Sequence, residues 1–460
     1  SVLATKFDLP VSANQEPTVV LTKPATGVSL KAGKTLQLAA SANDADGSVV
    51  KVRFLLGGQV IGEDAEAPYE LEWAPAEAGV VELSAEAIDD RDGRGTSAAV
   101  SVTVLPPNVA PEVVITAPDA GQGVSVGVTL KVSASATDSD GEVVQVEILA
   151  GEVSLAKRSE APFEADWTLA KAGLQSVTVR ATDNDGATSE ASVSVAVYGD
   201  TPVPVDGLRL WLDGSGVTQD GGKVSAWADR TPFGNSISQA DAGRQPTLHS
   251  EGANGQAAVV FDGADDLLAA TVNGAGLLSR DTVSIFIVMK QDRASANNAV
   301  LGWESDSHLN HLGLLFTYND QLLFDYGNVS AGGRILAPQP ERWDDLWNLV
   351  EVYRTGESGR VTVAGETVFS DTFAGELDVE VDGALTLGGV GGLHFGGAVA
   401  EVLVYNRALS EAEITRVRSV MATKFDLPVS ANQEPTVVLT KPAAGVSLKA
   451  GKTLQLAASA

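Results

Sequence analysis

Asn43-Asp44-Ala45-Asp46-Gly47-Ser48-Val49-Val50-Lys51-Val52-Arg53-Phe54 joins a polar turn to a short alternating run, and 94 residues later the same texture returns as Thr137-Asp138-Ser139-Asp140-Gly141-Glu142-Val143-Val144-Gln145-Val146-Glu147-Ile148. Successive strand side chains point to opposite faces, so Val52 and Phe54 would share one side and Lys51 and Arg53 the other. The same shift lays Pro17 on Pro111, Pro68 on Pro162, Trp73 on Trp167 and Asp89 on Asp183. With one extra residue allowed in the first copy, Asp92-Gly93 meets Asp185-Gly186. Two homologous modules are therefore expected, over 11–105 and 106–200. Strands such as Thr35-Leu-Gln-Leu38 and Val100-Ser-Val-Thr-Val104, separated by Asp, Gly and Pro turns, predict a β-sandwich for each.

Composition narrows the functional classes. The chain has 460 residues, enough for about three domains. It carries 31 Lys and Arg against 60 Asp and Glu, a net charge of −29. Nucleic acid and anionic membranes would be repelled by such a balance. The longest apolar stretch, Val283 to Met289, falls far short of the ~20 residues that cross a bilayer as a helix, so no membrane insertion is expected in this segment. With no cysteine there is no disulfide framework, thiol nucleophile or thiolate zinc site. An excess of carboxylates suits the oxygen-seeking Ca2+ ion, and it also serves plain solubility.

A second repeat is longer. Ser1–Ala42 recurs as Ser419–Ala460, differing only at Leu3/Met421 and Thr26/Ala444. The natural protein is expected to be an array of 418-residue units whose neighbours are further identical units. Residues 1–10 then read as the end of a helix from the preceding unit and 428–460 as part of the next unit's first sandwich. Ser410 followed by Glu413 forms a capping box, with Leu409 and Ile414 placed as a hydrophobic staple. A helix is predicted from Ser410 through Arg418 towards Lys424, with Ile414, Val417 and Met421 on one face and Phe425 just beyond.

The pattern Asn14-x-x-Pro17, Asn43-Asp-Ala-Asp-Gly-Ser-Val49, Ala67-Pro-Tyr69 with Trp73, and Asp89-Asp-Arg-Asp-Gly93 resembles the bacterial immunoglobulin-like modules of surface adhesins and carbohydrate-active enzymes. In a sandwich of that order the two acidic turns lie at one end. Asp44 and Asp46 could then converge with Asp89 and Asp92, and Asp138 and Asp140 with Asp183 and Asp185, around Ca2+, to which Asn14 and Asn108 could add linker carbonyls. The other reading is that Asp-Gly merely supplies turn geometry.

From about Asp206 the strands lengthen and gain aromatics: Leu208-Arg-Leu-Trp-Leu-Asp213, Val224-Ser-Ala-Trp-Ala-Asp229 and Ala258-Val-Val-Phe-Asp-Gly-Ala-Asp-Asp266. With Gly397-Ala-Val-Ala-Glu-Val-Leu-Val-Tyr-Asn-Arg-Ala-Leu-Ser410 they resemble laminin-G-like and concanavalin-like domains, assigned to 201–427. The resemblance implies two stacked antiparallel sheets, a glycan-binding concave face and a rim that often holds Ca2+. Sugars stack on exposed aromatic rings flanked by planar polar groups. The candidate ligand-binding set is Trp303, Tyr318, Asn319, Asp320, Tyr326 and Trp343, with Asn310 and Asp325 nearby; Trp211 and Trp227 alternate with core residues and are expected inside. His308 and His311, with Glu304 and Asp306, offer a weaker metal reading.

Glu376-Leu-Asp378-Val-Glu380 resembles the catalytic strand of jelly-roll β-glucanases, where the first Glu is the nucleophile and the last the acid/base. Its late position and the absence of flanking stacking tryptophans argue against catalysis, and no enzyme is expected. The fold class is all-β: two immunoglobulin-like sandwiches, then a concanavalin-like jelly roll closed by a short helix. Three functions follow: an extracellular bacterial structural or adhesive fibre, able to assemble laterally and to bind surface glycans; accessory glycan-binding modules of a carbohydrate-active enzyme; or a repeated glycosidase. Near-identity of the repeat ends favours the first.

Overall fold

The structure, a computed structural model, describes residues 13–292, 298–305, 311–318, 321–338, 345–372, 375–428, 438–441 and 457–459. In the first module the strands Thr18–Lys23, Leu36–Asn43 and Tyr69–Trp73 form one antiparallel sheet. The facing sheet runs Ser29–Lys31, Val100–Leu105, Gly79–Asp89, Val49–Leu56, Gln59–Asp64, with Ser29–Lys31 lying parallel to Val100–Leu105. The alternation in the opening stretch is realised: Val52 and Phe54 are fully buried against Leu38, Leu83 and Val102. The second module repeats the plan, with Glu112–Ala117, Thr129–Thr137 and Phe163–Thr168 against Gly123–Ser125, Thr188–Tyr198, Gly173–Asp183, Val143–Ala150 and Val153–Arg158.

Register locates the extra residue of the first copy. Glu86 pairs Thr96 as Arg180 pairs Glu190, both at a shift of 94. Glu82 pairs Ser101 as Ser176 pairs Ser194, where the second partner has slipped to 93. The extra residue thus falls between Thr96 and Val100, where the first copy breaks the strand that runs unbroken from Thr188 to Tyr198 in the second. The acidic turn itself is in strict register: Arg91 and Asp185 each donate their amide to the Asp two residues earlier, Asp89 and Asp183, and Asp92 and Gly186 both take positive φ (65° and 87°). This corrects the sequence match. Asp92 corresponds to Gly186, and the counterpart of Asp185 is Arg91.

The jelly roll is one near-closed antiparallel ladder folded into two stacked sheets, which Thr247–His249, Lys223–Trp227 and Ile237–Ser238 join along one side. One contains Ala258–Asp262, Gly396–Tyr405, Thr282–Gln291, Asn348–Thr355, Ser358–Val363 and Glu366–Thr372, with Leu208–Asp213 paired to the far half of Gly396–Tyr405. The other contains Leu268–Asn273, Asp382–Leu387, Asn298–Glu304, His311–Tyr318, Gln321–Gly327 and Arg334–Pro338. Their inner faces share one core that includes Trp227, Trp303, Phe324 and Val402.

The first sheet is buried on its outer face as well, because helix α1 (Glu411–Phe425) lies there. Ser410 caps α1 and Glu413 returns the bond to the Ser410 amide, completing the expected capping box. Ile414, Val417, Met421 and Phe425 are buried against Phe286, Leu349 and Leu403. Burying four such side chains is worth about 1.5–3 kcal/mol each before entropy is charged, so docking rather than helix propensity holds α1 in place. The same cluster takes in Tyr198 and Ala196 from the second module, and the Tyr198 hydroxyl donates to the Leu208 carbonyl. Beyond α1, Val438–Lys441 pairs Ala457–Ser459 in the register that Val20–Lys23 and Ala39–Ser41 use, as the 418-residue repeat requires.

Candidate functional site

At the linker end of each sandwich the two acidic turns do meet, and the chain's own groups sit among them. Asp89 is buried in its turn, accepting from the amides of Arg91 and Gly93 and from Asn14 Nδ2 at 2.8 Å. Burial opposes its ionisation, but the Asn14 amide and those backbone N–H groups outweigh it and hold the carboxyl below its usual range. Asp183 repeats this with Asn108 Nδ2 at 2.6 Å and the amides of Asp185 and Ala187. Asp44 and Asp138 each accept through Oδ1 from the amide two residues on, as Asx turns do, while the Oδ2 of each is buried without a hydrogen-bond partner. Asp46 meets Arg91 at 2.7 Å within its own module. Asp140 and Asp185 meet Lys31 of the first module at 2.9 and 2.5 Å. Asp92, at its left-handed turn position, is not part of the equivalent set.

Two expected sugar contacts need correcting. Trp303 and Tyr326 are fully buried. The Trp303 ring fills the jelly-roll core and its Nε1 donates to the Val272 carbonyl at 3.3 Å; the Tyr326 hydroxyl donates to Ser279 O at 2.5 Å. Neither ring is exposed to solvent, although Trp303 is in the wall of a cleft over the second sheet. Asn319, Asp320 and Trp343 lie outside the described residues, as do Asp306, His308, Asn310 and the side chains of His311 and Tyr318. Asp325 is buried in a two-pronged pair with Arg334 at 2.6 and 2.7 Å. Trp211 and Trp227 are inside, as expected.

The tryptophan that the sequence reading passed over is Trp347. It is half-buried and borders a cleft of about 430 Å3 shared with His249, Glu251, Lys290, Asp292 and Asp345. Trp347 stands just ahead of Asn348–Thr355, where the chain turns into the sheet, and Asp345 two residues earlier takes φ 60°. A smaller cleft of about 230 Å3 lies over the second sheet, between Arg244, Glu304, Thr386 and the Gly389–His394 hairpin.

One further constellation was invisible as a pattern. Oxygens of Asp262, Asp265 and Asp266 lie within 4.8 Å of one another, in the turn after Ala258–Asp262. Asp262 Oδ1 accepts from the amides of Ala264 and Asp265, and Asp266 Oδ2 from that of Asp262. Asp266 is only 3% exposed and its Oδ1 has no hydrogen-bond partner. Burial, then the Asp262 charge, pushes its carboxyl above the usual range. A hard cation held by oxygens would relieve both.

Glu376, Asp378 and Glu380 are exposed while Leu377 and Val379 are buried, so the alternation is real. The segment nevertheless belongs to neither sheet: it is an extended edge tied to Ala275 and Arg280 by backbone bonds.

Two Ig-type sandwiches leading into a lectin-type jelly roll define the class. Residues 17–85 and 111–181 match the bacterial Ig domain family, and 262–415 the concanavalin A-like lectin/glucanases superfamily, so the chain carries two domains of the first and one of the second. No curated protein matches the chain. Among solved structures, the fibronectin(III)-like modules of CbhA from Clostridium thermocellum are 31% identical over 40% of this chain and 95% of theirs, with a TM-score of 0.27. Domain 4 of AbnA, a GH43 extracellular arabinanase from Geobacillus stearothermophilus in complex with arabinotriose, is 15% identical over 46% of this chain and 98% of its own, with a TM-score of 0.34. The CBM40 of a Ruminococcus gnavus IT-sialidase, bound to α2,6 sialyllactose, is 19% identical over 30% of this chain and 84% of its own, with a TM-score of 0.26.

Proposed function

We propose that this chain is a repeating unit of a secreted or surface-attached bacterial fibre in which two Ig sandwiches space out glycan-binding jelly rolls, without catalysis. The observation that carries the glycan reading is the Trp347 cleft. A half-buried indole beside planar carboxylates, an ammonium and an imidazole has the apolar platform and the hydroxyl-directed groups a pyranose needs. Among the described residues its lining holds Glu251, Asp292 and Asp345 with the one ammonium of Lys290, a balance that suits neutral sugars better than anionic ones. The near-identity of Ser1–Ala42 and Ser419–Ala460 supports the fibre reading, since interchangeable units keep spacing uniform. Lateral assembly would add to the same role.

Ca2+ belongs to this reading as a structural ion at Asp262, Asp265 and Asp266, where a buried unpartnered carboxylate oxygen faces two more acids. The glycan reading is tested on an array of neutral and acidic oligosaccharides with the parent chain and Trp347→Ala. Neutral ligands should bind the parent and lose about tenfold in affinity, about 1.4 kcal/mol, in a variant that still melts as the parent does. An array without hits, or binding indifferent to Trp347→Ala, would remove the glycan role from this cleft.

A further inference from the structure

We propose that the second Ig module is built to follow the first: its two acidic turns form a slot for a cation, and the cation is the Lys31 ammonium of the preceding module. Lys31 closes the strand Ser29–Lys31 at the end of the first sandwich. Its Nζ lies 2.5 Å from Asp185 Oδ2, 2.9 Å from Asp140 Oδ2 and 2.5 Å from Asn108 Oδ1. An ammonium has three N–H donors, and here each meets an oxygen of the second module or its linker. The Lys31 side chain is 13% exposed, so bulk salt screens this contact less than an open surface pair. Lys34 adds a longer contact, 3.2 Å to the Asp185 carbonyl.

The corrected register shows why this joint is particular. At one position of the second acidic turn the first module has Arg91 and the second has Asp185. In the first module Arg91 neutralises Asp46 from within, also reaching the Asp46 carbonyl at 3.1 Å. In the second module that internal cation has become an acid, so Asp140, the counterpart of Asp46, shares the deficit with Asp185. Lys31 supplies what the substitution removed. The second module cannot pass the arrangement on, because its own counterpart of Lys31 is Ser125, beside the apolar joint to the jelly roll. A first module following a first module would meet Lys31 with Arg91, cation against cation. The order of the modules, and the angle between them, is thus written in charge. The next unit carries the same lysine as Lys449.

The test uses the full chain, whose lack of cysteine lets two spin labels be placed without background. Val60→Cys and Val153→Cys put one label on an exposed strand of each module. Pulsed electron spin resonance in chelator should give one narrow inter-label distance for the parent. Lys31→Ala should lose that peak to a broad distribution, and the exchange Lys31→Asp with Asp185→Lys should recover it, which separates loss of the bridge from loss of folding. A Lys31→Ala distribution as narrow as the parent's would overturn the proposal. So would a parent that is broad in chelator and narrows only when CaCl2 is added, since a metal ion would then hold the joint.

Discussion

Arg418→Met probes how α1 is fastened to the jelly roll. Glu351 is fully buried beneath the helix, and Arg418 meets both its oxygens, Nε to Oε1 at 2.7 Å and Nη2 to Oε2 at 2.6 Å. The Tyr353 hydroxyl donates to Oε2 at 2.9 Å. Methionine would keep most of the side-chain volume but leave the carboxylate with one neutral donor. Breaking a buried pair by deleting one partner costs about 3–5 kcal/mol, nearly all of it the stranded charge. For a domain of this size each kcal/mol moves the melting point by about 2–4 °C, so the jelly-roll transition should fall by roughly 6–20 °C in scanning calorimetry. If stranded charge is the cause, adding Glu351→Gln to Arg418→Met should recover most of the loss, because the amide oxygen still accepts from Tyr353. A shift of about 2 °C or less in the single variant would refute the reasoning, as would a double variant no better than the single one.

Acid should loosen the start of the same helix. The Arg407 guanidinium beside Glu413 lowers its carboxyl to about 2, against an opposing effect of burial. A depressed carboxyl stabilises the fold above its unfolded value of 4.5 and loses that contribution as pH falls towards 2, so the melting gap between parent and Glu413→Gln should close across that window. Screening of this partly exposed pair limits the gap to about 1 kcal/mol. CaCl2 should raise the jelly-roll melting temperature of the parent and leave Asp266→Asn unmoved; a parent that releases no binding heat would retire the Asp262–Asp266 ion site. Neither β-glucans nor other polysaccharides should be hydrolysed, and turnover that disappears in Glu376→Gln would reverse the non-catalytic reading.

The sandwiches were legible because period-two alternation and Asp-Gly turns are local signals, and the 94-residue shift made each copy a check on the other. The α1 cap was legible for the same reason, Ser410 and Glu413 being three residues apart. What misled was matching by letters at the second acidic turn. Asp92-Gly93 and Asp185-Gly186 spell the same pair, yet the left-handed position is Asp92 in one and Gly186 in the other, since both residue types tolerate positive φ. The jelly roll's site was harder to read. Its first sheet is buried on both faces, so strands such as Gly396–Tyr405 show no alternation that would separate inward from outward aromatics. Trp303 and Tyr326 lie on the second sheet, where Asn298–Glu304 and Gln321–Gly327 are likewise buried along nearly their whole length, so no local alternation marks their rings as inward. Asp262 and Asp266 show no metal spacing; only the fold of the turn brings an orphaned oxygen against its neighbours.

The two ends of the jelly roll sit on one face. Leu208, where the chain arrives, pairs with Tyr405, and α1 then carries the chain back across that sheet until Lys424 lies 2.5 Å from Glu401. Tension applied along the chain would therefore enter through α1 with its apolar seat and through the Leu208–Asp213 ladder, whose Leu210 and Leu212 reach into the core between the sheets. Because Trp347 packs against the same apolar cluster, a load that shifts α1 would be felt at the wall of the cleft.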